Sequence, residues 1–318
     1  MIMRFVVMGA GGIGGFFGGA LARAGEDVWF VGRGKHFDAM QREGLRITST
    51  AGNFTVPSSQ IVQDPALIGP ADVILFCVKS YDTESAARQL SPLLSERSLI
   101  ISLQNGVDNV EKIAAILPHC STYGGAAYIS SRITAPGLIS ETGGFQRIVF
   151  GPMSGEAGTR AGETLNCLTR AGIKSQLSAN IRKDLWQKLI FIASMGSLTA
   201  LSRLTHGEII GNPGTRALMF DAMREVQSVA LKLGIDVDPV DESRVLEGLK
   251  RFRDDTRSSM YYDLIAEKPL EVEALNGTVV RLGERVGVPT PIHRVIYAIL
   301  LSYHLRHTAA SSPRPADS

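Results

Sequence analysis

Residues 4–14 read RFVVMGAGGIG, a short apolar run that leads directly into a glycine-rich turn. Gly9, Gly11 and Gly14 match the pattern G-x-G-x-x-G. The residues that follow have helical character, and residues 28–31, VWFV, resume as a strand. A strand, a glycine turn, a helix and a second strand within about 30 residues form one βαβ unit of a parallel sheet. The stretch therefore predicts a dinucleotide-binding turn at the start of an α/β domain.

Each glycine of this pattern has a separate task. The first permits a tight turn, the second lets the backbone approach a pyrophosphate, and the third lets the helix pack closely on the sheet. The main-chain N–H groups at the start of the helix then face the anion. The residues expected to bind the dinucleotide are Gly9, Gly11, Gly12, Ile13 and Gly14. A turn with a merely structural role is the alternative, since a single match also arises by chance.

The end of the second predicted strand indicates which dinucleotide is bound. NAD sites of this type carry Asp or Glu there to hold the ribose 2′-hydroxyl. Here the chain reads Val31-Gly32-Arg33, and Lys35 follows. A guanidinium and an ammonium suit a 2′-phosphate, so Arg33 predicts NADP(H), and FAD is disfavoured because it needs the same missing acid. Solvated loop charges are the alternative interpretation of Arg33 and Lys35.

The first half continues as a doubly wound parallel sheet. Apolar strands are predicted at residues 73–78 and 99–103, with helical segments between and after them. Residues 121–150 contain strand-like pieces between turns and predict an antiparallel edge of that sheet. Lys79 and Asn105 each follow a predicted strand directly, so we expect both at the carboxyl edge, where ligands bind in open α/β folds. A surface cap at Lys79 and an ordinary Asn-Gly turn at Asn105 are the alternatives.

The second half has helical periodicity and almost no strand signal, beginning near Ser178. Helices are predicted at residues 180–204, 215–233, 239–262, 269–286 and 291–306. The predicted fold class is therefore α/β, with an N-terminal Rossmann-like doubly wound parallel sheet and a C-terminal all-α domain.

These patterns predict three segments of the chain. Residues 1–178 are expected to form an NADP-binding Rossmann-like domain, and residues 179–308 a helical domain for substrate binding and dimerisation. Residues 309–318 are polar and proline-bearing, and we expect a disordered tail there.

The composition of the 318 residues excludes several classes of protein. Lys and Arg number 33 against 31 Asp and Glu, a net charge of +2 that does not suit nucleic-acid binding. No apolar run approaches the ~20 residues that span a bilayer, and no signal peptide is recognisable. The three cysteines lie far apart in the sequence, without metal or redox spacing, which favours a reduced, cytoplasmic setting. His304 and His307 lack a third ligand, so we expect solvated helix residues and no metal.

Motifs along nearly the whole chain resemble the ketopantoate reductase (2-dehydropantoate 2-reductase) family. They are GAGGIG, the arginine after the second strand, VKSYDT, LQNGVDN, DLWQKL, SLTAL, SSMYYD and LEVEALNG. The resemblance implies a Rossmann domain followed by a helical domain. It also implies reduction of 2-dehydropantoate (ketopantoate) to pantoate by NADPH, a step of pantothenate and coenzyme A biosynthesis.

The resemblance implies roles for particular residues. The lysine of W-x-K-L, here Lys188, is the general acid, and Glu271, which begins E-x-x-x-x-N-G, orients the ammonium and holds the substrate hydroxyl. Ser259, which precedes Met, donates to the substrate carboxylate. Asn105, of the N-G pair in the first half, bonds the substrate or the nicotinamide ribose. Without the resemblance, Lys188 would be interpreted as an i,i+4 partner of Asp184 on a solvated helix face.

One departure from the family pattern concerns the substrate. The pattern commonly has Asn four and eight residues after the lysine, on the same helical face, whereas this chain has Ile192 and Gly196. We interpret this as an apolar wall and an open notch. The hypothesis is that the pocket accepts a different or bulkier 2-oxo acid, or holds ketopantoate weakly.

The expected function is therefore the NADPH-dependent reduction of a small 2-oxo acid, with ketopantoate as the expected substrate. A related reductase of another 2-oxo acid or of an imine is one alternative. A nonenzymatic NADP(H)-binding sensor is another. The expected partner is the small-molecule substrate, without nucleic acid or membrane, and a homodimer is left open.

Overall fold

The computed structural model describes residues 2–50 and 52–311. They divide into two compact units, Met1–Leu185 and Trp186–Ser318. The predicted boundary after residue 178 precedes this division. Of the predicted tail, residues 312–318 lie outside the described residues, and residues 309–311 belong to the last helix.

The first unit contains the strands and the first six helices. In chain order the strands are β1 (Arg4–Met8), β2 (Asp27–Val31), β3 (Leu45–Thr48), β4 (Phe54–Val56), β5 (Ile61–Val62), β6 (Val73–Phe76), β7 (Leu99–Ser102), β8 (Ser121–Tyr128), β9 (Ser131–Ala135), β10 (Leu138–Glu141), β11 (Arg147–Pro152) and β12 (Lys174–Leu177). The helices are α1 (Gly12–Arg23), α2 (Gly34–Glu43), α3 (Thr83–Ala87), α4 (Asn109–Ile116), α5 (Thr159–Arg170) and α6 (Ile181–Phe191), of which α6 continues into the second unit.

The main sheet has eight strands in the order β12-β11-β8-β7-β6-β1-β2-β5. All neighbouring pairs are parallel except β8 and β11. Strands β6 and β7 are buried along their whole length, as expected for strands covered on both faces. The predicted α/β class, a parallel Rossmann-like sheet followed by a helical domain, is confirmed.

The predicted antiparallel edge at residues 121–150 needs correction. β8 pairs parallel with β7, and only β11 runs antiparallel to β8, while β12 forms the edge. β9 and β10 leave the main sheet altogether. They belong to a second sheet of four strands in the order β4-β3-β10-β9, in which β3 and β10 are parallel. Short turns separate these strands in the sequence, so the local pattern did not show which sheet each one joins.

Helix α1 packs closely on both sheets because its glycines lack side chains. A Cβ at Gly18 would lie 2.5 Å from the side chain of Val7 in β1. A Cβ at Gly15 would overlap the side chain of Ile139 in β10, and one at Gly19 would meet the second sheet as well. Glycines on two faces of one helix therefore allow a sheet to approach from either side.

The described residues of the second unit form helices and connecting loops, without a strand. After α6 its elements are a π-helical turn (Ile192–Gly196), α7 (Ser197–Ser202), α8 (His206–Gly211), α9 (Pro213–Lys232), α10 (Glu242–Leu249), α11 (Ser259–Ile265), a second π-helical turn (Glu273–Gly277), α12 (Thr278–Val286) and α13 (Pro291–Ser311). No helix among the described residues is both long and apolar enough to cross a membrane.

The helix predicted at residues 239–262 is interrupted. Between α10 and α11 the chain forms a loop, and this loop docks on the start of α8 through main-chain bonds from His206 to Thr256 (2.9 Å) and from Gly207 to Asp254 (3.0 Å). The carbonyl groups of Asp254 and Thr256 thus accept hydrogen bonds from another helix instead of continuing the helix that the local pattern favours. The helix predicted from residue 269 begins instead with the second π-helical turn.

Candidate active site

The glycine turn between β1 and α1 is closed on one side and open on the other. Gly9 has a φ of 103°, a conformation that favours glycine, and a Cβ there would lie 2.8 Å from the main-chain nitrogen of Val78. A Cβ at Gly14 would overlap the carbonyl oxygen of Gly9. At Gly11, in contrast, no described atom lies within 4 Å of the Cβ position. This open place beside a closely packed turn fits the approach of a pyrophosphate.

The start of α1 supplies donors for an anion. Gly11 is the N-cap and has no side chain to cap the helix, and Gly12 and Ile13 follow it as partly exposed residues. The first N–H groups of a helix have no partner within the helix and lie at the positive end of its dipole. A dinucleotide phosphate can therefore accept hydrogen bonds here.

A histidine that the sequence analysis missed holds this turn in place. His36 in α2 donates from Nε2 to the carbonyl oxygen of Ala10 (3.0 Å) and accepts at Nδ1 from the N–H of Gly137 (3.0 Å). Because Nδ1 accepts, the proton of the neutral ring is on Nε2. Both partners come from distant parts of the chain, so no local pattern could have indicated this role.

Arg33, Lys79 and Asn105 lie at the carboxyl edge of the main sheet. They follow β2, β6 and β7, which together with β1 are consecutive parallel strands. From β1 the chain builds one side of the sheet and then returns to build the other from β6, so the order reverses between β1 and β6. Ligands of open α/β sheets bind at this kind of reversal, outside the carboxyl ends of the strands.

Arg33 has a carboxylate partner that the sequence analysis did not identify. Its guanidinium forms an ion pair with Asp82, which ends the 3₁₀ turn Ser80–Asp82. The Arg33 side chain is nevertheless 73% exposed. An exposed pair of this kind contributes only ~0–1 kcal/mol, so an incoming phosphate can compete for the guanidinium.

Gln104 ties together the two segments that carry Lys79 and Asn105. It is buried and donates from Nε2 to the carbonyl oxygen of Val78 (3.0 Å) and to the hydroxyl of Thr83 (2.8 Å). The main-chain carbonyl of Asn105 in turn accepts from the side chain of Asn109 (2.9 Å). These bonds fix the backbone on either side of both predicted site residues.

In the second unit, Lys188 is in the last turn of α6. Burial of its ammonium lowers its pKa to about 8, and the negative charge of Glu271 opposes that shift. Glu271 is itself only 7% exposed. The structure therefore brings the predicted acid and its predicted carboxylate partner together, and the alternative of a solvated pair with Asp184 is disfavoured.

Two adjacent serines at the start of α11 have different surroundings. The Ser258 hydroxyl donates to the carbonyl oxygen of Gly196 (2.7 Å) and accepts from the N–H of Tyr261 (3.1 Å), so it caps the helix. Ser259 is the first helical residue and is exposed. Of the two, Ser259 has the hydroxyl that a substrate can reach, in keeping with its predicted role.

Ile192 and Gly196 are the two ends of the first π-helical turn. Ile192 is partly exposed one turn after Lys188 and places an apolar side chain there. A Cβ at Gly196 would meet the Cβ of Ser258 at 3.6 Å, an ordinary contact. The space at Gly196 is therefore bounded by the loop that contains Ser258. This space is narrower than the open notch that the sequence predicted.

His304 and His307 in α13 anchor the segment that leads into Glu271. His304 accepts at Nδ1 from the N–H of Leu270 (3.0 Å), and Nδ1 of His307 bonds the carbonyl oxygen of Lys268 (2.8 Å). His307 is only 6% exposed, so the expectation of a solvated residue is wrong for it. Within residues 2–50 and 52–311 no cluster of three His, Cys, Asp or Glu could hold a metal ion.

Comparisons with known proteins place both halves of the chain in one family. The family model described as ketopantoate reductase PanE/ApbA matches residues 5–155, and its C-terminal counterpart matches residues 180–304. The chain is similar to the uncharacterized oxidoreductase YkpB of Bacillus subtilis, at 30% identity over 95% of this chain and 99% of that protein. It is also similar to the 2-dehydropantoate 2-reductase of Archaeoglobus fulgidus, at 30% identity over 93% of this chain and 96% of that protein.

A solved structure shows the same fold. It is a PanE/ApbA family ketopantoate reductase from Ralstonia eutropha, 31% identical, with a TM-score of 0.87 over 96% of this chain and all of that one.

Proposed function

The chain belongs to the ketopantoate reductase family, and from that premise we propose that it reduces 2-dehydropantoate to pantoate with NADPH, in the biosynthesis of pantothenate. The family makes it an oxidoreductase. The observation that carries the substrate chemistry is the Lys188 ammonium, whose pKa is lowered by desolvation and which has the buried Glu271 carboxylate as its charge partner. A lysine with a pKa of about 8 is a competent acid near neutral pH, because it is mostly protonated yet gives up its proton readily.

The proposed mechanism assigns the proton and the charges to this chain's own residues. A bound nicotinamide would supply the hydride to the carbonyl carbon of the 2-oxo acid. The Lys188 ammonium stabilises the charge that develops on the carbonyl oxygen and donates its proton there. Glu271 orients the ammonium and accepts from the substrate hydroxyl, and Ser259 donates to the substrate carboxylate. Asn105 bonds the substrate or the ribose next to the nicotinamide.

The proposed cofactor is NADP(H). The open place at Gly11 and the free helix start at Gly12 and Ile13 would hold the pyrophosphate. Arg33 would hold the 2′-phosphate by exchanging its partner Asp82 for the more highly charged group. Lys79 lies at the same edge of the sheet and adds positive charge there.

The apolar side chain of Ile192 favours a second candidate, a reductase of a different 2-oxo acid. An isoleucine one turn from the acid cannot bond a substrate hydroxyl, so a substrate without that hydroxyl fits it better. Steady-state rates with ketopantoate and with a panel of unhydroxylated 2-oxo acids and cyclic imines separate these candidates. A clear preference for ketopantoate excludes the altered substrate.

The central prediction is that Lys188→Ala lowers kcat by about three orders of magnitude and changes the Kd for NADPH less than about threefold, because the acid acts in the transition state. Lys232→Ala, at an exposed lysine in the last turn of α9, is the matched control and should leave both unchanged. Stopped-flow NADPH oxidation and fluorescence titration measure the two quantities. Tight NADPH binding without turnover of any substrate by the wild type would instead favour a sensor.

Two further predictions concern assembly and location. A homodimer is tested by sedimentation of the purified protein, and a cytoplasmic location by fractionation of cells that express it.

A further inference from the structure

Two π-helical turns lie directly after the two proposed catalytic residues. The first, Ile192–Gly196, begins four residues after Lys188, and the second, Glu273–Gly277, begins two residues after Glu271. The N–H of Gly277 bonds the carbonyl of Val272 (2.9 Å), which is the i to i−5 pattern of a π turn. Such turns are rare and often occur at functional sites.

Asn276, in the second turn, uses every polar group of its side chain, and one of its hydrogen bonds reaches the first turn. Its Nδ2 donates to the carbonyl oxygen of Ala193 in the first turn (2.9 Å) and to Nδ1 of His293 (3.0 Å). Its Oδ1 accepts from the hydroxyl of Ser197 (2.6 Å). Asn276 is fully buried at 0% exposure. A buried amide with both hydrogens and its oxygen in use leaves little freedom to the elements that it connects.

His293 fixes the orientation of that amide. Its Nε2 donates to the carbonyl oxygen of Ala222 in α9 (3.0 Å), so Nδ1 must accept, and the amide nitrogen of Asn276 must face it. Burial lowers the pKa of His293 to about 4, so the ring stays neutral and keeps this acceptor at neutral pH. The connection therefore runs from α9 through α13 to both π-helical turns.

We propose that Asn276 is a positioning residue, which holds the two π-helical turns together and so keeps the Lys188 ammonium beside the Glu271 carboxylate. An α-helix advances about 100° per residue, so a π turn that relaxes by one residue rotates its neighbours to another face. A lysine at the end of α6 would then leave its partner. This inference rests on the proposed function for the role of Lys188 as the acid. The hydrogen bonds of Asn276 do not depend on which substrate is bound.

The test measures the pKa of Lys188 directly, without any turnover. Trace acylation with acetic anhydride over a pH series, followed by peptide mapping, reports the neutral fraction of each lysine. For the wild type we expect a midpoint near 8 at Lys188. In Asn276→Ala and Asn276→Asp, water reaches the loosened ammonium, so the midpoint should move toward the ~10.4 of an exposed lysine, with labelling at pH 8 reduced about tenfold.

Milder and control variants keep the result interpretable. Ser197→Ala removes one bond to Asn276 and should shift the midpoint in the same direction but less. Thr215→Val removes a hydrogen bond to Ile209 (2.8 Å), away from both π-helical turns, and should lower the melting temperature without moving Lys188. A midpoint that stays near 8 in folded Asn276 variants overturns the proposal. A midpoint that falls supports it, because an ammonium that has lost the charge of Glu271 and is still buried has a lower pKa.

Kinetics separate this inference from the proposed function. In the first outcome, the Lys188 midpoint moves in the Asn276 variants, their kcat with ketopantoate falls at least tenfold and their Kd for NADPH is unchanged. The positioning role and the proposed function are then both supported. If the midpoint moves but the wild type reduces no 2-oxo acid, the positioning role stands and the proposed function fails. If the wild type is active and the Asn276 variants keep its full kcat, the positioning role is overturned.

Discussion

Arg33 carries the proposed choice between two dinucleotides, and its ion pair with Asp82 shows how that choice can operate. The carboxylate orients the exposed guanidinium when no phosphate is present. A 2′-phosphate carries more charge and three oxygens, so it competes well for a planar donor fork. A ribose 2′-hydroxyl offers no such charge.

Arg33→Ala should therefore raise the Kd for NADPH at least tenfold and the Kd for NADH less than threefold. Asp82→Asn keeps Arg33 and removes its competing partner, so it should leave NADPH binding unchanged or make it stronger. Fluorescence titration with both cofactors measures these constants. Equal losses for NADPH and NADH in Arg33→Ala would rule out a contact with the 2′-phosphate.

The pKa of Lys188 predicts opposite pH profiles for the two directions of the reaction. Reduction needs the protonated ammonium, so its kcat should be constant below pH 8 and fall about tenfold per pH unit above it. Oxidation of the hydroxy acid needs the neutral amine, so its rate should rise through the same midpoint. Initial rates between pH 6 and 10 in both directions check this. A reduction rate that stays constant up to pH 10 would be incompatible with Lys188 as the acid.

At the scale of the elements, α1 has a face for each sheet and an open end for an anion. Within about one turn at the start of α1, the Cβ positions of Gly14 and Gly15 are closely packed, whereas that of Gly11 is open. Substitution by alanine therefore has opposite consequences at neighbouring positions.

Gly14→Ala should destabilise the first unit severely, because its Cβ would overlap the carbonyl of Gly9. Gly11→Ala should fold normally, since Gly11 has a φ of −75° that alanine adopts and no described atom lies near the new methyl group. It should nevertheless weaken NADPH binding at least tenfold by filling the approach to the pyrophosphate. Thermal unfolding and cofactor titration of both variants test the contrast. Unchanged NADPH binding by Gly11→Ala would remove this turn from the cofactor site.

The sequence predicted those elements whose pattern is local. β1, α1 and β2 follow from apolar runs around a glycine turn, and Lys79 and Asn105 follow from their places after strands. Strands such as β3 and β10 were not predicted as a pair, because a parallel partner distant in the chain leaves no local periodicity. Lys188 and Glu271 were found only through a family motif. His36 and Asn276 act through partners on other elements, which single-residue chemistry does not reveal.

At the scale of the whole molecule, buried neutral histidines link stability to pH. His206 is 6% exposed, lies between the rings of Phe191 and Phe252, and its Nδ1 has no hydrogen-bond partner among the described residues. Burial lowers its pKa to about 4. Between pH 6.5 and 4 the unfolded chain binds this proton and the folded chain does not, so the free energy of unfolding falls as the pH is lowered through that range.

His206→Phe should remove that dependence and keep the aromatic packing. Relative to the wild type, it should retain up to ~3 kcal/mol more of its neutral-pH stability at pH 4. Urea unfolding at pH 7.5, 5.5 and 4 measures the difference, with His119→Gln, at an exposed histidine, as control. Parallel losses in wild type and His206→Phe would show that other groups govern acid unfolding.

The parallel pairing of β3 with β10 also bears on how the chain is made. Thr48 and Ile139 bond across 91 residues of sequence. A nascent polypeptide that has left the ribosome only as far as β8 therefore has β3 and β4 beside α1 but not yet β10. The part of α1 around Gly15 stays uncovered at that stage, and we expect it to attract chaperones or other nascent chains until the hairpin of β9 and β10 emerges. A translational pause that has released the chain only as far as Tyr128 should therefore increase aggregation more than a pause that has released it through Pro152.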